Sequence, residues 1–532
     1  MCTCKPLQLS ELSVRQKLGM AMTAHVYNMG DDALSEANLN YALDMVRNHS
    51  LGAIWVDSSF RREEVMARIQ EAADYPILIF TDAESGFPPY LIGRHNALST
   101  ANSEELAYIF GKVTAVAARK AGYNVVCNPV LDMCKENAVC GKTTRSMGGD
   151  KYKVAKLAIA EAQGMRDGGV LIVGKHYPSA CGDFEIDPHM AECTSFETEA
   201  DLLDYNLYPY LELHKRDLLD GIMTQHCRFP NIDPDYPASL SEKVIGIIRR
   251  QGFDGFTITD ALVMMGTAAK FGAKNCKGMA IGNGNDLALT WYGNKESFEA
   301  ISECYEKGLI TDQRLDDAVR HVLNAQEKSM RLPTDAEITS EDLEKFRKIN
   351  TDGVCARIDS GLPDALDRQG RHYFVVMTEN SVEISDAGKV NVDTLEKGWY
   401  QPGYIMQRLQ DLFPNSETVA INQFPSPVQN VRVLENSVTY EDVIFVTFTT
   451  SQAYVGRECL TSRIVSVIQA MQITDQVSTI VHFGNPFVLE ELPHIPRILM
   501  GGISADAVDA TLNVLAGLYP AKGTLPYPVK LQ

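Results

Sequence analysis

The chain has 532 residues, of which 45% are hydrophobic and 22% are charged. This is an ordinary globular composition, and the length exceeds what one hydrophobic core supports, so two or three domains are expected. A formal net charge of -20 argues against nonspecific binding to nucleic acid or to anionic membranes.

The N-terminal sequence MCTCKP lacks the uninterrupted apolar run of a secretory signal, and no later stretch offers eighteen apolar residues in a row. Twelve cysteines are scattered without a compact framework, which favours reduced thiols over disulfides. We therefore expect a cytoplasmic protein. Cys127, Cys134 and Cys140 crowd together but lack the paired C-x-x-C spacing of a zinc site, so neither a metal nor another cofactor is predicted.

Apolar, β-prone segments alternate with helix-length segments over the first 325 residues. The predicted strands lie at 52–56, 76–81, 124–129, 170–174, 221–224, 255–259 and 286–290. The predicted helices include 103–121, 153–168 and 241–251. Strands separated by helices pair in parallel, and this many units predicts a closed (β/α)8 TIM-type barrel over residues 1–326.

The remaining sequence predicts a second, smaller domain. Residues 327–368 are charged and helix-prone, which indicates a helical linker. After them, predicted strands alternate with helical stretches such as 461–471 and 505–518, and the strands lie at 372–378, 418–423, 442–449, 477–483 and 495–500. This alternation predicts a C-terminal α/β sandwich domain with a layered parallel sheet over residues 369–532.

Two polar segments near predicted strand ends indicate chemistry. Lys175 and His176 follow an apolar run at 170–173, and the pair Asp187 and His189 comes shortly after. A carboxylate two residues before an imidazole can hold the tautomer of the ring, as a general acid/base requires. Asp260 follows the strand at 255–259, where barrel enzymes keep reacting groups. Taken separately, the first segment also fits a charged surface loop, and Asp260 also fits a helix N-cap.

Together the two segments resemble glycoside hydrolase family three, in the branch that contains the β-N-acetylglucosaminidases. The paired motifs are KHYP at 175–178 leading to DPH at 187–189, and GFDG at 252–255 leading to TDAL at 259–262. Further matches, in the order of the family, are TDAESG at 81–86, NPVLD at 128–132, TRSMG at 144–148, GIMTQH at 221–226, PASLS at 237–241 and AIGNGND at 280–286. A weaker echo of the second domain of the family lies in GNPF at 484–487 and KGTLP at 522–526.

The resemblance implies a retaining glycoside hydrolase that releases nonreducing-end β-linked N-acetylhexosamine, with N-acetylglucosamine expected, from small glycans or cell-wall fragments. It implies that Asp260 is the nucleophile and that His189, oriented by Asp187, is the acid/base. The implied sugar-binding residues are Asp82, Arg145, Lys175 and His176, with His226 and Asp286 ranked below them because packing roles also fit. Asp82, Lys175, His226, Asp260 and Asp286 are all expected at or just past carboxyl ends of strands.

Departures from the family pattern leave the sugar open. Gly86 is followed by FPPY at 87–90 instead of an arginine-containing segment, and the loop before Asp187 is one residue longer than usual. One alternative is a β-glycosidase of other sugar specificity or a β-N-acetylglucosaminide phosphorylase. A second is an inactive sugar-binding or regulatory homologue, which the joint presence of Asp260, Asp187 and His189 disfavours. A homodimer is one assembly that the sequence leaves open.

Overall fold

The computed structural model describes residues 4–58, 61–134, 142–179, 188–290, 294–384, 390–394, 399–440, 442–449 and 458–532. The chain divides into two compact units. The first comprises Met1–Tyr90, Ala107–Cys134 and Gly148–Leu343, and the second comprises Leu91–Leu106, Lys135–Met147 and Glu344–Gln532.

Eight parallel strands form the main sheet of the first unit. They are Met22–Val26 (β1), Ala53–Val56 (β2), Leu78–Thr81 (β3), Val125–Val126 (β4), Leu171–Tyr177 (β5), Gly221–Thr224 (β6), Phe256–Thr259 (β7) and Ala288–Leu289 (β8). The order in the sheet is β7-β6-β5-β4-β3-β2-β1-β8. A parallel bridge between Ile258 of β7 and Leu287, directly before β8, joins the two strands at the ends of this order. The sheet therefore closes, and the predicted TIM-type barrel is confirmed.

At least one helix follows each barrel strand. The helices of this part of the chain are Val14–Met20, Asp32–Arg47, Arg62–Ala72, Glu104–Lys120, Lys151–Gly168, Glu199–Asp201, Tyr208–His214, Glu242–Arg250, Met265–Phe271, Asn275–Gly282, Lys295–Glu306 and Asp312–Ser329. The helix Lys151–Gly168 shows why such segments begin and end where they do. The Asp150 side chain accepts from the first-turn amides of Tyr152 and Lys153, and Gly169 ends the helix with a φ of 89°.

The barrel interior is filled with apolar side chains. Trp55 stacks on Phe80 with ring centroids 5.9 Å apart, and Phe80 meets Phe256 edge-on at the same distance. All three rings belong to one buried cluster that also contains Leu171, Val173 and other strand residues. This core positions the strand ends on which the polar residues lie.

Two barrel strands differ from the sequence expectation. β1 was not predicted, because its residues Met22, Thr23, Ala24, His25 and Val26 do not form a strongly β-branched run. β5 continues to Tyr177, three residues beyond the predicted end at 174. Lys175 and His176 therefore lie in the strand rather than on the loop after it.

Asp286 was expected at the carboxyl end of a strand, and this expectation is wrong. It precedes β8, and its amide donates to the carbonyl of Thr257 at 3.0 Å, at the amino end of β7. The buried carboxylate accepts from Arg249 at 2.7 Å and from Arg314 at 2.5 Å. Asp286 therefore ties the barrel together at the end opposite to the candidate site.

The second unit contains a six-stranded sheet. Its strands are Cys355–Ile358 (β9), His372–Thr378 (β10), Glu417–Asn422 (β11), Asp442–Phe448 (β12), Val477–Phe483 (β13) and Arg497–Gly501 (β14). The order is β9-β14-β13-β12-β10-β11, and every pairing is parallel except the antiparallel pairing of β9 with β14. The helices in this part of the chain are Asn96–Ala101, Lys142–Arg145, Ser340–Asp352, Pro402–Leu412, Pro427–Ser437, Ser462–Gln472 and Ala505–Leu515.

This sheet changes one detail of the predicted organisation. β9 lies within residues 327–368, which were predicted to be a helical linker. The α/β character of the C-terminal domain is as expected. None of the helices in the described ranges combines the length and the hydropathy needed to cross a bilayer.

Candidate active site

Most of the predicted site residues meet at the carboxyl rim of the barrel. Asp82 directly follows β3, Asp260 directly follows β7, and His226 lies two residues beyond β6. Lys175 and His176 lie near the end of β5. Because parallel strands present their carboxyl ends at one rim, side chains from distant parts of the sequence come together there.

An irregularity in β5 lets consecutive side chains reach this rim. The register with β6 shifts between Lys175 and Tyr177, and a bulge of this kind re-aims side chains. In a regular strand, neighbouring side chains point to opposite faces. Here Lys175 and His176 both contact carboxylates of the rim, whereas the Tyr177 hydroxyl donates to the carbonyl of Val244 at 2.8 Å on an outer helix.

Lys175 forms ion pairs with two carboxylates. Its ammonium donates to Asp82 Oδ1 and lies 2.6 Å from Glu84 Oε1. Only 2% of the Lys175 side chain is exposed, and a buried cation requires such partners. The Asp82 side chain remains 55% exposed, so its carboxylate is accessible to a ligand. Glu84 was not among the predicted site residues, although it belongs to the TDAESG motif.

His176 lies between two carboxylates. Its Nδ1 is 2.6 Å from Asp132 Oδ2, and its Nε2 is 4.0 Å from Asp260 Oδ2. Since an ionised carboxylate only accepts hydrogen bonds, Nδ1 carries a proton and donates a hydrogen bond to the buried carboxylate of Asp132. Asp132 thereby fixes the ring with Nε2 toward Asp260. Asp132 was not among the predicted site residues, although it ends the NPVLD motif at 128–132.

Asp260 is held by the backbone on both sides. Its Oδ1 accepts from the Ala261 amide at 2.8 Å, and its own amide donates to the Thr224 carbonyl at 2.9 Å. Burial opposes its ionisation, but the His176 imidazole, with contributions from His226, His189 and the Ala261 amide, outweighs burial and holds the pKa of the carboxyl below its usual value. Asp260 is therefore an ionised carboxylate at neutral pH.

Both ring nitrogens of His226 contact the protein. Nδ1 lies 2.7 Å from Ser239 Oγ, and Nε2 donates to the Ala261 carbonyl at 3.0 Å. Burial lowers the pKa of this imidazole. The ring therefore anchors the Ala261–Leu262 peptide, one residue beyond Asp260.

The His189 backbone is attached to the segment that follows the nucleophile candidate. Its carbonyl accepts from the Met265 amide at 3.0 Å. The His189 imidazole is also one of the groups that lower the pKa of Asp260. Asp187 lies outside the described residues, and its orienting role stays a prediction.

Arg145 belongs to the second unit. It ends the helix Lys142–Arg145, and its carbonyl lies 3.2 Å from His95 Nδ1. Its contact with a sugar stays a prediction.

The described residues contain one group with clustered metal-ligating atoms, formed by Asp286, Asp317 and His321. Arg249 and Arg314 already pair with the Asp286 carboxylate. Positive neighbours of this kind disfavour a further cation, so the group fits an ion-pair network of the barrel.

The barrel region matches a known protein family. Residues 39–325 match the profile of the glycosyl hydrolase family 3 N-terminal domain. The chain belongs to glycosyl hydrolase family 3. The predicted family resemblance is thereby confirmed.

Individual relatives agree with this assignment. A beta-hexosaminidase of Nitrosomonas eutropha is 30% identical over 223 residues, which are 39% of this chain and 63% of that protein. The chain thus spans under two thirds of this curated relative. A family 3 beta-N-acetylglucosaminidase from Paenibacillus shares the fold with a TM-score of 0.81, at 24% identity and with 98% of this chain and 100% of that chain covered. A beta-glucoside phosphorylase shares it with a TM-score of 0.80, at 21% identity, with 98% and 95% covered.

Replacing His176 by Asn removes one positive neighbour of Asp260. We expect the pKa of Asp260 to rise, so kcat/KM should begin its decline on the acid side at higher pH than in the wild type. The pH profile of kcat/KM for an aryl glycoside measures this, because it reports ionisations of the free enzyme.

The matched control is Asp254→Asn, which alters a carboxylate that is 72% exposed and precedes β7 at the opposite end of the strand. In this control, kcat/KM should decline at low pH over the same pH range as in the wild type. If the pH range of the decline is also unchanged in His176→Asn, the electrostatic role of His176 is contradicted.

Proposed function

We propose that the protein is a retaining glycoside hydrolase that releases nonreducing-end β-linked N-acetylhexosamine, in first place N-acetylglucosamine, from small glycans or cell-wall fragments. The observation that carries this proposal is the Asp260 carboxylate at the barrel rim, with its Oδ2 4.0 Å from His176 Nε2, on the same rim as the Lys175–Asp82 pair. The names of the beta-hexosaminidase relatives and of the Paenibacillus enzyme support the choice of sugar.

The first step forms a glycosyl-enzyme. Because Asp260 Oδ1 accepts from the Ala261 amide, Oδ2 is the oxygen free to attack the anomeric carbon. As the new ester bond forms, the bond to the leaving oxygen breaks, and the imidazolium of His189 transfers its proton to that oxygen. The ionised carboxylate also stabilises the oxocarbenium-like transition state.

The second step reverses these roles. Neutral His189 takes a proton from water while the water oxygen bonds to the anomeric carbon and the ester bond to Asp260 breaks. Asp187 orients the imidazole in both steps. An imidazole suits this exchange because its usual pKa, about 6.5, lies near neutral pH.

Asp82, Lys175 and His176 bind the hydroxyl groups of the nonreducing-end sugar, and the sugar contact of Arg145 stays a prediction from its sequence motif. The partly exposed Asp82 carboxylate accepts from hydroxyls, and the cationic side chains donate to them. His226 was predicted to bind sugar as well. Since both of its ring nitrogens contact the protein, we assign it the positioning of the Ala261–Leu262 peptide instead.

Asp260→Asn should lower hydrolysis of p-nitrophenyl β-N-acetylglucosaminide on the order of 10³-fold or more, because the amide is a poor nucleophile and carries no countercharge. The panel also includes the β-N-acetylgalactosaminide, β-glucoside and β-xyloside, each with and without inorganic phosphate. Asp254→Asn serves as the carboxylate control and should retain activity.

Each other outcome changes the proposal in a defined way. Preference for another glycoside corrects the sugar, and stimulation by phosphate replaces hydrolysis by phosphorolysis. Activity that survives in Asp260→Asn contradicts the assignment of the nucleophile. A wild-type protein inactive on the whole panel favours an inactive sugar-binding homologue.

We also infer a homodimer, supported by an exposed apolar helix face in the second unit. Val428, Val431, Leu434 and Val438 lie three or four residues apart on or next to the helix Pro427–Ser437, and Val428 is 69% exposed. A two-fold dimer would bury this face against its own copy.

Val428→Glu should convert the dimer into a monomer in light scattering after size exclusion. Val14→Glu, at an exposed apolar position of the first unit, should not, and a monomeric wild type would refute the dimer.

The same thiols that suggested the cellular compartment support a cytoplasmic location. Within the described ranges, Cys127, Cys276, Cys304 and Cys459 are free thiols. Reduced thiols are typical of the cytosol. Recovery of the protein in a periplasmic or extracellular fraction of the source cells would contradict this location.

A further inference from the structure

The segment that carries His189 is attached to the first turn of a helix by two backbone hydrogen bonds. The Met265 amide donates to the His189 carbonyl at 3.0 Å, and the Gly266 amide donates to the Pro188 carbonyl at 3.1 Å. Both amides belong to the start of the helix Met265–Phe271, where backbone donors lack partners within the helix. The two carbonyls satisfy them, so the position of the segment is set by the helix.

Gly266 allows this close approach. A Cβ atom at this position would lie 2.7 Å from the Pro188 carbonyl oxygen and 2.8 Å from that of Ala191. Both distances are shorter than carbon and oxygen atoms tolerate, so any other residue would push the segment away. Limited space, and not an unusual backbone conformation, therefore requires glycine here.

The same helix is connected to Asp260 by a short, hydrogen-bonded linker. The Leu262 amide donates to the Leu289 carbonyl at 3.2 Å, and the Met264 amide donates to the Ala261 carbonyl at 3.0 Å. Asp260 itself is attached to Thr224 of β6. The nucleophile candidate and the support of the His189 segment thus belong to one fixed piece of backbone.

We propose that Gly266 is a positioning residue that sets the distance of the His189 imidazole from Asp260 and from the leaving oxygen. This inference rests on the proposed function, in which His189 is the acid/base. An acid must lie within hydrogen-bond reach of the atom that it protonates, and a displacement of about 1 Å can cost roughly 100-fold in rate. The two hydrogen bonds that the Met265 and Gly266 amides donate to the His189 segment supply that precision.

Two variants test the contacts between this helix start and the His189 segment in different ways. Gly266→Ala displaces the segment by steric contact. Met265→Pro removes the donor to the His189 carbonyl and leaves the helix able to form, since proline is favoured at the first helical position. The preceding residue, Met264, has φ -62° and ψ 133°, which a following proline accepts. If one variant does not fold, the other still tests whether these contacts position His189.

The readout is the dependence of kcat/KM on the leaving group. For phenyl β-N-acetylglucosaminide, whose leaving group needs protonation, we expect both variants to lose roughly 10- to 100-fold. For the 2,4-dinitrophenyl glycoside, whose leaving group departs without a proton, the loss should be only a few-fold. His189→Ala provides the reference pattern.

The matched control is Gly282→Ala, in which a Cβ atom would lie 2.3 Å from the Leu309 carbonyl oxygen. Gly282 ends the following helix, Asn275–Gly282, and this clash is with a different segment from the one that carries His189. It should change both substrates by the same factor. Equal losses on both substrates in Gly266→Ala and Met265→Pro, or no loss, would overturn the inference. If His189→Ala itself shows no leaving-group bias, the proposed acid/base is wrong, which is a separate failure.

Discussion

The arrangement of the rim depends on the need to balance carboxylates that the barrel brings together. Asp82 and Glu84 follow β3, Asp132 follows β4 and Asp260 follows β7, and the first two form ion pairs with Lys175. Like charges at such distances disfavour ionisation unless cations lie between them. Lys175 pairs with Asp82 and Glu84, and His176 lies between Asp132 and Asp260. Each carboxylate of the rim thus has a cationic side chain or an imidazole beside it.

A buried thiol is compatible with this balance because it stays neutral. Cys127 follows β4 and is fully buried. Burial, together with the carboxylates of Asp82, Asp260 and Glu84, raises the pKa of the thiol well above its usual value. A neutral side chain at this position fills space without adding negative charge. The charge of the rim is therefore carried by the carboxylates, Lys175 and the histidines.

The barrel could be predicted from the sequence because each β/α unit is a local pattern. The apolar strands and amphipathic helices appear within single windows of sequence, and the expected helix at 241–251 lies within one residue of the observed Glu242–Arg250 at each end. The pairing of His176 with Asp132 could not be read in this way. Those residues are far apart in sequence, and their contact exists only once strand order and the irregularity in β5 are known. Asp286 was misplaced for a related reason, since an apolar run does not show at which end of a short strand an adjacent carboxylate lies.

In the second domain, the predictable elements are likewise the buried ones. β10 and β13 coincide with their expected ranges, because both are rich in β-branched and aromatic residues and lie inside the sheet. β9 was missed because it is an edge strand in a charged stretch, and three of its four residues are only partly buried. Such a strand owes its conformation to pairing with β14 and not to its own sequence.

The crowding of carboxylates also gives a physical reason for an imidazole as acid/base in the proposed mechanism. A second carboxylic acid beside Asp260 would have to lose its proton in the first step and become another anion in a rim that already holds several. An imidazolium that gives up its proton becomes neutral, so the first step creates no new repulsion with the rim carboxylates. Before that step, its positive charge helps to keep Asp260 ionised. One residue therefore supports the nucleophile in the free enzyme and withdraws its charge as the ester forms, when the nucleophile no longer needs a countercharge.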